Sequence, residues 1–358
     1  MPISAVDTIT LAFQHAKRQL IQPFRFGQWT RLAVVGLLAG EMGSSGSFKF
    51  PSSFNPHHQS PSHHLLGQAF PKIDPALLGA LIAVLVVTGL VFMIVMLYVS
   101  SVMRFILFDS VLAKDCHIRA GWNRRQASAW NYFLWQLGFT VVTLVAAVLL
   151  FGVPAAIAWS LGWFSHPGDH LAPLIVGGIL MFFVVVAFFI AVGVVNVFTK
   201  DFVVPQMALE GIGPIEGWRR LWPMIQADNK GYAGYVGMKI VLAIGTGIVI
   251  GIVTLILALM LVIPAVAVAI AAVLTGKSAG LTWNVFTITA AVIAACIVFA
   301  VFMYLIALIS VPVIVFFPAY AIYFFAARYR ALSLVLYPPP PALPPQEPPP
   351  FPTAPAPA

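Results

Sequence analysis

The sequence predicts an all-α membrane protein, a polytopic helix bundle of about six transmembrane helices arranged as three hairpins with amphipathic helices at the interface. Composition, five long uncharged stretches and the sidedness of the basic residues predict it. Of 358 residues, 61% are hydrophobic and 8% charged, against about 45–50% and about 25% in an average soluble domain. Such a chain cannot cover its apolar surface with its own polar residues, so the bilayer must act as the solvent.

A span needs about 20 apolar residues at about 1.5 Å each to cross a hydrocarbon core roughly 30 Å thick. Residues 75–103 carry no charge, and stretches 126–168, 171–199, 240–276 and 278–327 are likewise free of Lys, Arg, Asp and Glu. They predict helices near 133–157, 173–198, 238–263 and 285–309. A first span is expected from Trp29 to Gly40, where a short apolar core lies between Arg31 and Glu41. Two segments stay open between helix extension, re-entrant piece and further span: Pro264 to Leu274, and Val311 to Ala327 with Pro312 and Pro318 inside it. Proline removes a ladder hydrogen bond without forbidding burial beside other helices.

Charge orients these spans. With six of them, sixteen Lys and Arg fall on the cytoplasmic side, and only Lys49, Lys72 and Lys277 fall outside. That is a strong positive-inside bias with both termini in the cytoplasm. The formal charge of +8 is therefore read as topology and contact with anionic lipid headgroups, with no nucleic acid as partner. Tryptophan agrees, because indole prefers the headgroup level. Trp29, Trp122, Trp130, Trp135, Trp218 and Trp222 fall at cytoplasmic ends, and Trp159, Trp163 and Trp283 at outer ends.

The chain divides into an N-terminal interfacial segment (1–27), a transmembrane helical domain (28–330) and a proline-rich disordered tail (331–358). In the first, Val6, Ile9, Phe13, Ala16 and Leu20 recur at helical spacing, with Asp7, Gln14, Lys17 and Arg18 elsewhere around the helix. That pattern predicts an amphipathic helix on the membrane surface rather than a cleaved signal peptide. The tail after Tyr337 holds twelve prolines, which favour extended polyproline II and could dock a protein partner.

The second and third cytoplasmic regions match at an offset of 96 residues: Arg104 with Lys200, Val111 with Met207, Gly121 with Gly217, Trp122 with Trp218 and Arg124 with Arg220. The helix before Trp29 is a degenerate third copy, so three units are expected, each an interfacial helix followed by a transmembrane hairpin. Within spans, Gly36 and Gly40, Ala187 and Ala191, and Gly247 and Gly251 lie four apart, which lets helices of the same chain, or of a homo-oligomer, approach closely. The residues expected at the lipid interface are Trp122, Arg124, Arg125, Trp218, Arg219, Arg220 and Trp222.

Catalytic chemistry finds little footing. No Walker loop, HExxH, GxSxG or framed carboxylate pair is present, so no catalytic residue and no cofactor are assigned. His57, His58, His63 and His64, with His166, Asp169 and His170 in the next outer loop, are weak metal candidates in a flexible loop, and no metal site is assigned. Cys116 and Cys296 suggest neither a disulfide nor a metal site. The ionisable residues nearest the spans are Glu41, Arg104, Lys200, Asp201 and Lys239, all expected close to an interface. A charge at midplane would mark an ion pathway; none is predicted, although Asn196, Thr246 and Thr254 could line a solute path. Asp109, Asp115, Asp201, Glu210, Glu216 and Asp228 share the cytoplasmic face with many cations, for which interfacial ion pairing is the simplest account.

The Gly-Trp-Arg helices between spans, GWNRR at 121–125 and GWRRLW at 217–222, resemble those of a group of uncharacterised bacterial multi-pass proteins. More distantly the chain is similar to the membrane domain of some glycerophosphoryl diester phosphodiesterases. The resemblance spans roughly residues 5–335 and implies a bacterial inner-membrane location. It carries over no catalytic residue, because nothing corresponds to that family's soluble barrel. The function expected is that of a non-enzymatic integral membrane protein organising lipids or partner proteins. The alternatives are a transporter or channel for an unidentified solute, and a membrane-bound hydrolase acting on lipid phosphodiesters.

Overall fold

The computed structural model describes residues 4–22, 24–41, 75–163, 168, 171–278 and 285–338. Among them the chain is helical: α1 Asp7–Ile21, α2 Phe26–Leu38, α3 Pro75–Ala113, α4 Ile118–Ser160, α5 Leu171–Glu210, α6 Pro214–Ala227, α7 Asn229–Ser278, α8 Val285–Ala326 and α9 Arg330–Leu336. Five of these, α3, α4, α5, α7 and α8, are long and apolar enough to cross a membrane. Helix α2 is not, since its 13 residues extend only about 20 Å. The expected first span therefore has no membrane-length helix among the described residues, and residues 42–74 lie outside them.

Both open proline segments turn out to be helix continuations, Pro264–Leu274 within α7 and Pro312 and Pro318 within α8. Two other prolines do distort their helices. A proline ring collides with the carbonyl four residues back, and widened π-turns sit at those places: Val148–Gly152 just before Pro154, and Thr199–Val203 just before Pro205.

Each long helix has two halves with different surroundings. Helix α3 is exposed from Ile82 to Val91 and beyond, then buried from Ser101 to Phe108; α8 is exposed from Phe286 through Val301 and buried from Ile306. In α3, α5 and α7, none of the most apolar 18-residue stretch is buried within the protein. Val, Leu, Ile and Phe exposed in rows forfeit in water a large share of the roughly 1.5–3 kcal/mol that full burial of each would give, so a lipid environment is what these halves fit. The exposed run of α8, from Phe286 to Tyr304, is about 28 Å long and matches the hydrocarbon thickness.

The buried halves pack at one end around an aromatic core. Tyr235 stacks on Tyr320 with ring centroids 5.1 Å apart, and Phe324 approaches Tyr235 to 4.5 Å. Phe105, Phe202, Leu32 and Met207 are fully buried beside them. At this end Gln28 reaches the Lys114 carbonyl, Arg31 the Cys116 carbonyl and Arg328 the Asp228 carboxylate.

The apolar face of α1 expected to lie on the membrane surface is divided: Ala16 and Leu20 turn into the protein and Ile9 packs against its core, while Val6 and Phe13 stay outside. Thr8, Ala12, His15, Ala16, Gln19 and Leu20 are buried, whereas Val6, Phe13 and Ile21 are more than half exposed. The last carbonyls of a helix have no partner in their own ladder. At the end of α3, His15 Nε2 lies 2.9 Å from the Val111 carbonyl and the Gln19 amide donates to the Ser110 carbonyl at 2.9 Å. Polar groups thus win the protein side of α1. The small Ala12 and Ala16 allow the close approach.

The two Gly-Trp motifs do occupy matching positions. A β-carbon on Gly121 would stand 3.0 Å from Ile106, and one on Gly217 would stand 2.7 Å from Val203, so each glycine lets a new helix start against the end of the preceding one. The copies differ afterwards: α4 runs on into its membrane-length stretch, while α6 stops at Asp228 before α7 begins. Gly27 meets nothing within 4 Å, so the degenerate third copy lacks this contact. Gly211, at φ 69°, ends α5 in the left-handed conformation that favours glycine.

Candidate functional site: a buried ion cluster

Where the packed halves meet the exposed ones, α2, α3, α5 and α7 bring five ionisable side chains together. Lys200 contacts Glu41, and Lys239 contacts Asp201. Asp201 also accepts from the Tyr235 hydroxyl at 2.8 Å. Arg104 donates to the Tyr132 hydroxyl and, at 3.1 Å, to the carbonyl of Ala39, one of the unpaired carbonyls at the C-terminus of α2. Glu41 is also within electrostatic reach of Arg104 and Lys239.

Helix geometry explains why these residues share one level. Arg104 is nine residues from the end of α3, Lys200 ten from the end of α5, and Lys239 ten from the start of α7, so each lies about 14–15 Å inside the basic end. The π-turn at Thr199–Val203 carries Lys200 and Asp201 consecutively, and the two serve different partners. The side chains of Asp201 and Glu41 are 4% and 2% exposed, so these are ion pairs held away from water. Between them lies a cavity of ≈ 30 Å³ lined by Glu41, Arg104, Lys200 and Asp201, with Leu107, Phe108, Val204, Pro205, Pro318, Ala321 and Ile322 as its apolar wall.

Sequence reading located all five charges but not their meeting. It paired Arg104 with Lys200 by repeat position, whereas the partner of Lys200 stands 159 residues away. Tyr132 and Tyr235 were missed altogether. The one local signal was the set of charged positions about ten residues inside three helix ends.

The residues expected at the lipid interface are divided. Arg124, Arg219 and Trp222 are exposed, as is half of Arg220. Trp122 packs edge-on to Tyr98, with ring centroids 6.2 Å apart, and Trp218 donates its indole N–H to Thr199 at 3.1 Å. Arg125 holds Asp109 through two bonds of 2.7 Å and also reaches the Ala208 carbonyl. The other acids of the packed end are engaged as well: Glu210 and Glu216 by Arg220, Asp228 by Arg328, and Asp115 by the Cys116 backbone N–H. Asn196 and Thr246 bond to carbonyls of their own helices, which occupies them locally.

The His57, His58, His63 and His64 candidates lie outside the described residues, as do His166, Asp169, His170 and residues 339–358 of the tail. Among the described residues no group of three His, Cys, Asp or Glu stands close enough to share a metal ion.

These features define a helical protein with five membrane-length helices among its described residues, anchored in one packed, basic end. The chain belongs to the family of unknown function DUF7544, whose sequence profile matches residues 3–335. No curated protein and no solved structure matches it. The comparisons thus show no link to the glycerophosphoryl diester phosphodiesterases that the sequence distantly resembles.

Proposed function

We propose that the protein is a non-enzymatic integral membrane protein, set in a bacterial inner membrane with its packed, basic end in the cytoplasm, that organises anionic lipid or partner proteins around that end. The observation that carries this is the outward face of α1. With Thr8, Ala12, His15, Ala16, Gln19 and Leu20 turned into the core, α1 leaves Val6, Phe13 and Ile21 exposed beside Lys17 and Arg18, the combination that binds a headgroup layer. Exposed Trp222, Arg219 and Arg124 extend the same chemistry to α6 and α4.

In this reading the chain makes six crossings, with α2 as the inner part of the first. Reporters fused at Pro61 and at Ala358 should then report opposite compartments.

Lipid preference tests the function. Purified protein in nanodiscs of mixed phosphatidylglycerol and phosphatidylcholine should enrich the anionic lipid, and K17Q/R18Q/R219Q should reduce that enrichment several-fold. Equal enrichment by the variant would overturn the reading. A second reading, solute passage, is favoured by the ion cluster at the edge of the exposed helices, since ionisable groups at membrane depth mark pathways. Saturable flux through reconstituted liposomes would establish it over the scaffold.

A further inference from the structure

We infer that the ion cluster binds one small monovalent anion, of the size and charge of a halide, beside Arg104 and Lys200. Three independent observations lead there, and none depends on the lipid reading above.

The first is charge. Arg104, Lys200 and Lys239 bring three cations to the cluster, and Glu41 and Asp201 bring two anions. A site this shielded from water penalises an uncompensated charge heavily. Each carboxylate contacts one lysine, and Arg104 shares their charge while its own hydrogen bonds go to the neutral Tyr132 hydroxyl and the Ala39 carbonyl, so one positive charge is left over.

The second is donor capacity. Arg104 spends one terminal nitrogen on Tyr132 and the other on Ala39, while its buried Nε has no hydrogen-bond partner among the described residues. A guanidinium N–H is a strong donor whose natural partner is an anion.

The third is space. The cavity of ≈ 30 Å³ that Arg104 and Lys200 line exceeds the roughly 10–15 Å³ that one water-sized particle needs. It is too small for a phospholipid headgroup. Leu107, Phe108, Val204 and Pro318 form much of the remaining wall. An anion there must shed its hydration against apolar surface, which favours chloride or bromide over the more strongly hydrated fluoride.

The test uses the purified full-length chain in detergent micelles. Its melting temperature is followed by tryptophan fluorescence in sodium chloride, sodium bromide and sodium gluconate at equal ionic strength. Halide should raise the melting temperature saturably over gluconate, and Arg104→Gln, which leaves two cations against two anions, should abolish the difference. Identical melting in chloride and gluconate, or a halide effect retained in Arg104→Gln, would overturn the site. Should that variant fail to fold, chloride-35 NMR of the wild-type protein decides the matter: line broadening reversed by bromide supports the site, and its absence removes it.

Discussion

Removing the carboxylate of Asp201 perturbs the cluster most directly. The Asp201 side chain is 4% exposed and that of its partner Lys239 11%, so Asp201→Asn strands a buried ammonium and raises the excess of cations from one to two. Breaking a buried pair from one side costs about 3–5 kcal/mol. Lys239→Met acts the opposite way: it brings the charges into balance and leaves Asp201 with the Tyr235 hydroxyl at 2.8 Å, so we expect a smaller loss of about 1–3 kcal/mol. In the double variant Asp201→Asn/Lys239→Met the stranded cation is gone. It should be at least about 1 kcal/mol more stable than Asp201→Asn alone, a coupling that sites in contact show and independent sites do not. Denaturant or thermal unfolding of the four proteins in one detergent gives the cycle. Additive losses, or a Lys239→Met loss exceeding that of Asp201→Asn, would refute the charge accounting.

Three further outcomes follow from the packing at the same end. A β-carbon on Gly36 would stand 2.5–2.9 Å from three carbons of Ile314, which is 2% exposed and cannot swing away. Gly36→Ala should therefore cost about 1–3 kcal/mol by overpacking, less whatever it gains in helix propensity, and Ile314→Ala in the same chain should remove that cost on unfolding. His15 is held below the ordinary imidazole value of 6.5, chiefly by burial. The unfolded chain thus takes up a proton first, and the stability from its neutral form, complete above 6.5, is lost as pH falls from there through the lowered folded value. Thermal scans against pH should show that slope, and His15→Gln should flatten it. Arg328 grips Asp228 through two bonds of 2.7 and 3.0 Å and lies 3.9 Å from the centre of the Phe324 ring. Lysine reproduces neither the fork nor the stacking, so Arg328→Lys should lower stability by about 1–2 kcal/mol in a denaturant titration. The Arg328 hydrogen bonds also hold the Asp228 carboxyl below its ordinary 3.8; their stabilisation is present above that value and fades only as pH drops through the lowered one.

Much of this architecture is legible residue by residue. Bilayer length and hydration decide where an uncharged run such as Leu171–Phe198 becomes a helix. The matched glycines Gly121 and Gly217 are visible as a repeat because each lets a helix begin against its predecessor. Three things escaped. Hydrophobic spacing places Val6, Ile9, Phe13, Ala16 and Leu20 on one membrane-facing side of α1, yet Ala16 and Leu20 are buried in the protein, because periodicity shows only that a face is apolar, not whether protein or lipid covers it. The expected first span has only the 13 residues of α2 as helix among the described residues, because hydropathy does not mark where a short helix ends. Glu41, Arg104, Lys200, Asp201 and Lys239 were each seen as interfacial charges near their own helix ends.

The sequence by itself determined the solvent this protein needs and the places of its five long apolar helices, because these depend on composition and on spacing within one segment. Only the tertiary structure decided that Glu41 meets Lys200 across 159 residues and that three cations share two carboxylates. A pairing between distant helices is set by their relative depth and rotation, and neither leaves a local mark on the chain.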